Sequence, residues 1–159
     1  MSLPNKTQLL PDRPGIPPMA ALPEAETVDP AALARAYADG EIDLICVLGP
    51  TASGKTRYAV QLARAIGNAE ILSADSRQVY CGMDIGTGKD LDEYGEVTYH
   101  LIDIVPAGSK YNIYEYQAAF ADAYADIRSR DRIPILCGGS GLCTVPLLMM
   151  VSCKVSCFL

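Results

Sequence analysis

Short apolar runs alternate with stretches of helical period along this chain. The first clear run, Ile42 to Gly49 (IDLICVLG), is followed by glycine-rich punctuation and then by Lys55–Ile66. In that segment Ala59, Leu62, Ala63 and Ile66 fall on one face, and Gly67 is placed to end the helix. The order predicts strand, loop, helix. Further strands are expected at Glu70–Ser73, Tyr99–Ile104 and Ile133–Cys137. Before the last of these, Asn112 with Glu115 three residues on has the form of a capping box. Behind it, Ile113, Tyr116, Phe120, Tyr124 and Ile127 recur at helical spacing, a stripe that reads as core packing. Upstream, Asp29 as N-cap, Pro30 at the first helical position and Gly40 beyond the end predict a short surface helix, Pro30–Asp39. Strands alternating with helices imply the α/β class, a parallel sheet covered on both faces and joined by right-handed crossovers.

Composition bounds this picture. A chain of 159 residues, 50% hydrophobic and 20% charged, can bury one core and excludes a wholly disordered or multidomain protein. Seven of the 11 prolines fall in the first 30 residues, so residues 1–28 read as a peripheral proline-rich arm, ahead of a core at 29–142. Net charge is −6, and the stretch from Asp84 to Asp126, with nine acids and two bases, carries −7 of its own. That stretch is a poor surface for RNA, whose binders show a basic footprint. The six cysteines match no zinc spacing and follow no signal peptide, so they are expected to be free thiols of a cytoplasmic protein. The longest apolar stretch, from Cys137 onward, is broken by glycines, Pro146 and Lys154, which argues against a membrane span.

The chemistry-bearing motif lies between the first strand and the helix after it. Gly49, Pro50, Thr51, Ala52, Ser53, Gly54, Lys55 and Thr56 satisfy GxxxxGK[ST] in the strand-to-helix context that the pattern requires. The glycines let the backbone curl until successive N–H groups point inward, and the helix N-terminus adds partial positive charge where a phosphate sits. Lys55 is expected to pair with phosphate oxygens, and the Thr56 hydroxyl to be a ligand of Mg²⁺. The motif does not say whose phosphates these are.

After the second strand come Ser73-Ala-Asp75-Ser76-Arg77-Gln78-Val79-Tyr80 and Gly82-Met-Asp-Ile-Gly-Thr-Gly-Lys89. With GPTASGKT before them and HLIDI and IPILCGGSGL after, four motifs stand in the order found in the tRNA dimethylallyltransferase (tRNA isopentenyltransferase) family, covering Leu44 to Leu142. The chain resembles the N-terminal half of such an enzyme. The resemblance implies a P-loop NTPase-like fold and transfer of a dimethylallyl group from dimethylallyl diphosphate to N6 of an adenosine beside the tRNA anticodon. It reassigns Gly49–Thr56 to the prenyl donor's diphosphate with Mg²⁺, and makes Asp75 the base that accepts the N6 proton. It also implies that Ser76, Arg77, Gln78 and Ser140 contact the adenosine and its neighbours. Read from the residues alone, Asp75 fits three roles: a base at the ligand-facing sheet edge, a turn former, or a metal ligand. Arg77 also fits a solvated surface charge, and the glycine-rich turn at 138–141 fits a plain strand-to-helix connection. Lys89 stands in a loop that departs from the family pattern and receives no role. Asp103 is expected to be structural, and His100, with no Cys or carboxylate at ligand spacing, to pack in the core or at a strand edge.

Past Leu142 the family pattern is expected to stop. Residues 143–159 hold twelve apolar residues and one charge, Lys154. The abrupt change points to a frameshift or premature stop, which translation of the downstream frames of the gene tests. A truncated chain would lack the last sheet strand and the tRNA-gripping surface, leave a sheet edge unpaired, and show impaired transfer. The competing readings are an adenylate isopentenyltransferase, a small P-loop kinase, and a remnant that only binds diphosphate. A kinase would need lid arginines, and Arg128, Arg130 and Arg132 cluster instead before the fourth strand, away from the ligand edge.

Overall fold

Two opposed faces of alternating apolar side chains build the core. In the computed structural model, which describes residues 28–50, 52–85, 89, 91–139 and the backbone of 155–158, strand β1 (Leu44–Leu48) sends Ile45 and Val47 to one side. Leu44 and Cys46 go to the other. Strands β2 (Ala69–Ser73) and β6 (Ile133–Gly138) repeat the split, with Ile71, Ile133 and Ile135 on the first face and Leu72 and Leu136 on the second. Helices α1 (Pro30–Ala38) and α2 (Lys55–Ile66) cover the first face through Leu33, Ala59, Val60, Leu62 and Ala63. Helix α3 (Ile113–Ser129) covers the second through Tyr116, Phe120, Tyr124 and Ile127. Phe120 and Tyr124 stack at 5.9 Å. The outcome is the three-layer α/β sandwich that the alternation predicts.

The main sheet is parallel, in the order β4-β2-β6-β1-β7, where β4 is Tyr99–His100 and β7 is Val155–Phe158. A small second sheet pairs β3 (Tyr80–Cys81) with β5 (Val105–Pro106). Local chemistry accounts for the ends. Asp29 caps α1 by accepting from the Ala31 N–H at 2.9 Å, Gly67 closes α2 in the left-handed region, and the Asn112–Glu115 capping box forms in both directions.

Three expectations are corrected. The strand predicted over Tyr99–Ile104 ends after His100, because Leu101 and Asp103 adopt left-handed backbone (φ 67° and 55°) that no ladder tolerates. Val105–Pro106 then pairs with β3 instead. The edge beside β1, expected to be unpaired, carries β7 in parallel register, Cys46 opposite Cys157. Ile113, placed on the buried stripe of α3, is exposed at the helix start. The proline-rich arm up to residue 27, the loop positions Thr51 and Gly86 to Gly88, Asp90, Ser140 and the stretch 141–154 lie outside the described residues.

Candidate functional site

Parallel strands present their C-terminal ends at one edge of the sheet, and those predicted site residues that are described gather there. From β1 the chain passes through Gly49 and Pro50 into α2. Gly54 is the N-cap in left-handed backbone (φ 84°), and Ala52, a residue with a Cβ, also takes a positive φ of 61°. Strained backbone of this kind persists where the surroundings over-determine it, and here it wraps the loop around the end of α2. The first turn of α2 leaves N–H groups without acceptors inside the helix, and these face the loop. Lys55 folds back over the loop and donates to the Pro50 carbonyl. Gly139, just past β6, closes the cradle from the other side. A Cβ on Gly139 would stand 2.5 Å from the Gly49 carbonyl oxygen and 3.4 Å from Lys55 Nζ, so only glycine fits.

Beneath the cradle Cys137 and Tyr94 are both buried. Burial pushes the Cys137 thiol up to about 11, with Lys55 and a hydrogen bond with Thr56 pulling the other way and Asp75 adding to the rise. The thiol is therefore neutral at physiological pH. Burial also raises the Tyr94 hydroxyl well above its ordinary range, opposed by its hydrogen bond with Thr56. Thr56 thus stands on a floor of two neutral groups. Neither was singled out from the sequence; for Cys137 a signal existed in its place directly before the two glycines, for Tyr94 none did.

Asp75 follows β2 by two residues, and β2 lies next to β6. Ala74 donates its N–H to the Cys137 carbonyl at 2.8 Å, and a Cβ on Gly138 would meet the Ala74 Cβ at 2.5 Å. Gly138 therefore lets β6 approach the residue before Asp75 closely. The Asp75 carboxylate accepts from the Arg77 N–H at 3.0 Å and lies 3.5 Å from Arg77 Nε. Its carbonyl accepts from the Gln78 N–H at 3.1 Å, closing a turn. Asp75 is partly exposed, and Ser76 and Arg77 are exposed. Gln78 is placed differently: it is buried, and its side-chain oxygen accepts from the Ser73 hydroxyl at 2.7 Å. Tyr116 of α3 donates to the Ser73 carbonyl at 2.6 Å, fixing the same corner from below.

The three residues without an assigned binding role, Lys89, Asp103 and His100, are partnered. Lys89 is buried and donates to the Tyr80 carbonyl at 2.7 Å, to Asp103 at 2.5 Å and to Asp84 at 3.3 Å. Burial pushes its ammonium down, but the two carboxylates outweigh that and raise it above the ordinary lysine value. Asp103 is structural, as expected. His100 sits on the edge strand β4, as expected, and lies 2.7 Å from Glu70, a carboxylate thirty residues away in sequence, across the β2–β4 ladder. Glu70 also takes a two-pronged contact from Arg130, at the sheet edge opposite the phosphate loop. The arginine cluster is thus remote from the ligand edge.

Residues 42–101 match the family described as isopentenyl transferase, and residues 78–153 the family described as IPP transferase. The second match runs past Leu142, where the resemblance was expected to stop. A protein named tRNA dimethylallyltransferase 2 from Syntrophotalea carbinolica is 63% identical over 100 residues, covering 63% of this chain and 33% of that protein. One named tRNA dimethylallyltransferase 1 from Geotalea daltonii is 60% identical over 100 residues, covering 63% and 32%. Among solved structures, a full-length tRNA isopentenylpyrophosphate transferase from Bacillus halodurans aligns with TM-score 0.64 at 40% identity, over 67% of this chain and 35% of that one. A eukaryotic dimethylallyltransferase acting on tRNA aligns with TM-score 0.56 at 32% identity, over 60% and 24%. The chain spans about a third of the length of the curated relatives it matches.

Proposed function

Because this chain belongs to the tRNA dimethylallyltransferase family, we propose that it binds dimethylallyl diphosphate and serves transfer of the dimethylallyl group to N6 of an adenosine beside the tRNA anticodon. The observation that carries this reading is the meeting of a phosphate cradle with a carboxylate at one sheet edge. Gly139 packs on Gly49, and Gly138 packs on the residue before Asp75. In the transfer, the N6 lone pair attacks C1 of the donor, the C1–O bond breaks with its electron pair leaving on the diphosphate, and the N6 proton passes to Asp75. Lys55 and the N-terminal N–H groups of α2 stabilise the charge that develops on the leaving diphosphate. Ser76 and Arg77, exposed beside Asp75, are the side chains offered to the acceptor.

The donor set suits Mg²⁺ that shares its coordination with a substrate. Among the described residues no group of three or more His, Cys, Asp or Glu could form a protein cage. Thr56 supplies one hard hydroxyl at the start of α2, and a cation that keeps its waters and binds diphosphate oxygens needs little more from the protein. When bound, Mg²⁺ supplies positive charge against the diphosphate. No helix among the described residues is long and apolar enough to cross a membrane; the cytoplasmic placement proposed for the chain rests on the proposed action on tRNA.

Calorimetry in Mg²⁺ with dimethylallyl diphosphate, ATP and AMP tests the reading. Diphosphate binding without preference for ATP, abolished by Lys55→Met, is the expected result. Binding of ATP alone would favour a small P-loop kinase, and binding of none an inert remnant.

A further inference from the structure

Lys89 is the one buried lysine among the described residues, its side chain 0% exposed. A buried ammonium is costly unless every donor is used and its charge is compensated. Here the Tyr80 carbonyl, Asp84 and Asp103 take its three protons. These acceptors come from β3, from the loop after it, and from the segment between β4 and β5, so one side chain ties three stretches of chain together. Asp103 holds a left-handed backbone (φ 55°) while doing so. Its N–H donates to the Gln78 carbonyl at 3.0 Å, and its own carbonyl accepts from Cys81 Sγ at 3.0 Å. Ile104 and Val105 both donate to the Val79 carbonyl, at 2.9 and 3.0 Å. Gln78 in turn donates to the Asp75 carbonyl. Three hydrogen-bonded steps, Lys89 to Asp103 to Gln78 to Asp75, therefore join a buried cation to the carboxylate-bearing turn. None of these steps passes through the phosphate loop, which hangs on β1, α2 and Gly139.

We propose that Lys89 is a positioning residue for the acceptor half of the site, holding the Asp75–Gln78 turn through Asp103 while leaving the diphosphate half untouched. The assignment of an acceptor to that turn rests on the function proposed above; the mechanical link does not. Lys89→Met keeps the length of the side chain and removes the charge and all three donors. It leaves the two carboxylates facing each other and the Tyr80 carbonyl without its donor.

Hydrogen exchange on the full chain tests the link without any ligand. In Lys89→Met the amides of Gln78, Asp103, Ile104 and Val105 are expected to exchange at least tenfold faster, while the Ile133 amide, bonded to the Asn68 carbonyl at the opposite sheet edge at 2.9 Å, changes less than twofold. Should Lys89→Met fail to fold, Asp103→Asn, which keeps the volume and breaks only the charge pairing, is expected to speed the same four amides threefold or more. Acceleration spread evenly over the sheet, or absent at these four, overturns the proposal. Calorimetry then reads the functional half: AMP affinity should fall at least tenfold in Lys89→Met, with dimethylallyl diphosphate affinity within threefold of the unaltered chain. Equal AMP affinity in both chains overturns it as well. If the unaltered chain binds neither dimethylallyl diphosphate nor AMP, the proposed function is what fails; if it binds the diphosphate alone, the exchange pattern decides whether Lys89 holds the turn.

Discussion

Gly139 lies against Gly49 so closely that a Cβ on the former would stand 2.5 Å from the carbonyl oxygen of the latter. No flexible side chain can give way there, since the obstacle is backbone. Gly139→Ala must therefore displace the phosphate loop or the end of β6, and the expected result is at least a tenfold loss of dimethylallyl diphosphate affinity with the fold retained. Gly138→Ala makes a useful contrast. Its Cβ would meet Ala74 and not the loop, so its damage should appear at Asp75, as lost transfer with diphosphate affinity kept. Equal diphosphate affinity in Gly139→Ala and the unaltered chain would show that the cradle is not the binding site.

Asp75→Asn removes the base and little else. An amide oxygen in the same place can still accept from the Arg77 N–H, now at 3.0 Å from the carboxylate, so the turn should persist. General-base catalysis contributes roughly 10²–10⁴-fold to rate, and a loss of that order in transfer to unmodified tRNA is expected, with donor affinity unchanged. A rate within a few-fold of the unaltered chain would remove Asp75 from the base role and leave it as a turn former.

The elements that the sequence made legible are those whose causes are local. The apolar run over Leu44–Leu48, the caps at Asp29, Asn112 and Gly67, and the strand-to-helix passage at Gly54–Lys55 each act within a few residues, and each forms as expected. What stayed hidden depends on partners distant in sequence. Glu70 meets His100 thirty residues on and Arg130 sixty residues on, and no spacing rule predicts either contact. Lys89, in a loop that departs from the family pattern, could not be placed because its carboxylates, Asp84 and Asp103, lie on two different segments. The left-handed backbone at Asp103 is held by tertiary bonds from Asp103 to Gln78 and from Ile104 to Val79 and overrides the apolar run that suggests a strand.

Asn112→Ala should cost about 1 kcal/mol of stability, the usual worth of an N-cap. The side chain accepts from the Tyr114 and Glu115 N–H groups at 2.9 and 3.1 Å, and Glu115 returns a contact to the Asn112 N–H at 2.8 Å. The cap lies at the end of α3 from which Tyr116 reaches Ser73, so fraying there should also loosen the corner under Asp75. Urea denaturation measures the first effect. A midpoint equal to that of the unaltered chain would mean that the box forms without stabilising the helix.

Acid stability should turn on Glu70. Its carboxyl, 2% exposed, is held down to about 2 from an ordinary 4.5, chiefly by the hydrogen bonds from Arg130, against the opposing effect of burial and with help from His100. The folded pKa lies below the unfolded one, so the unfolded chain takes the proton first. The stabilisation is thus complete above about pH 4.5 and drains away as pH falls toward 2. With each unit worth about 1.4 kcal/mol, the shift corresponds to at most about 3.5 kcal/mol, and less in practice because Arg130 is partly exposed to solvent. Glu70→Gln should therefore lower stability at pH 7 by at most about 2 kcal/mol, since it removes the buried carboxylate that pairs with Arg130 and leaves the guanidinium only Asp126, at 2.7 Å. It should also flatten the stability profile between pH 5 and 2, because the group that titrates there is gone. Thermal unfolding at half-unit steps of pH reads both. An unchanged slope in Glu70→Gln would assign the acid sensitivity to other carboxylates, and the Arg130 contact would then be a surface pair of little weight.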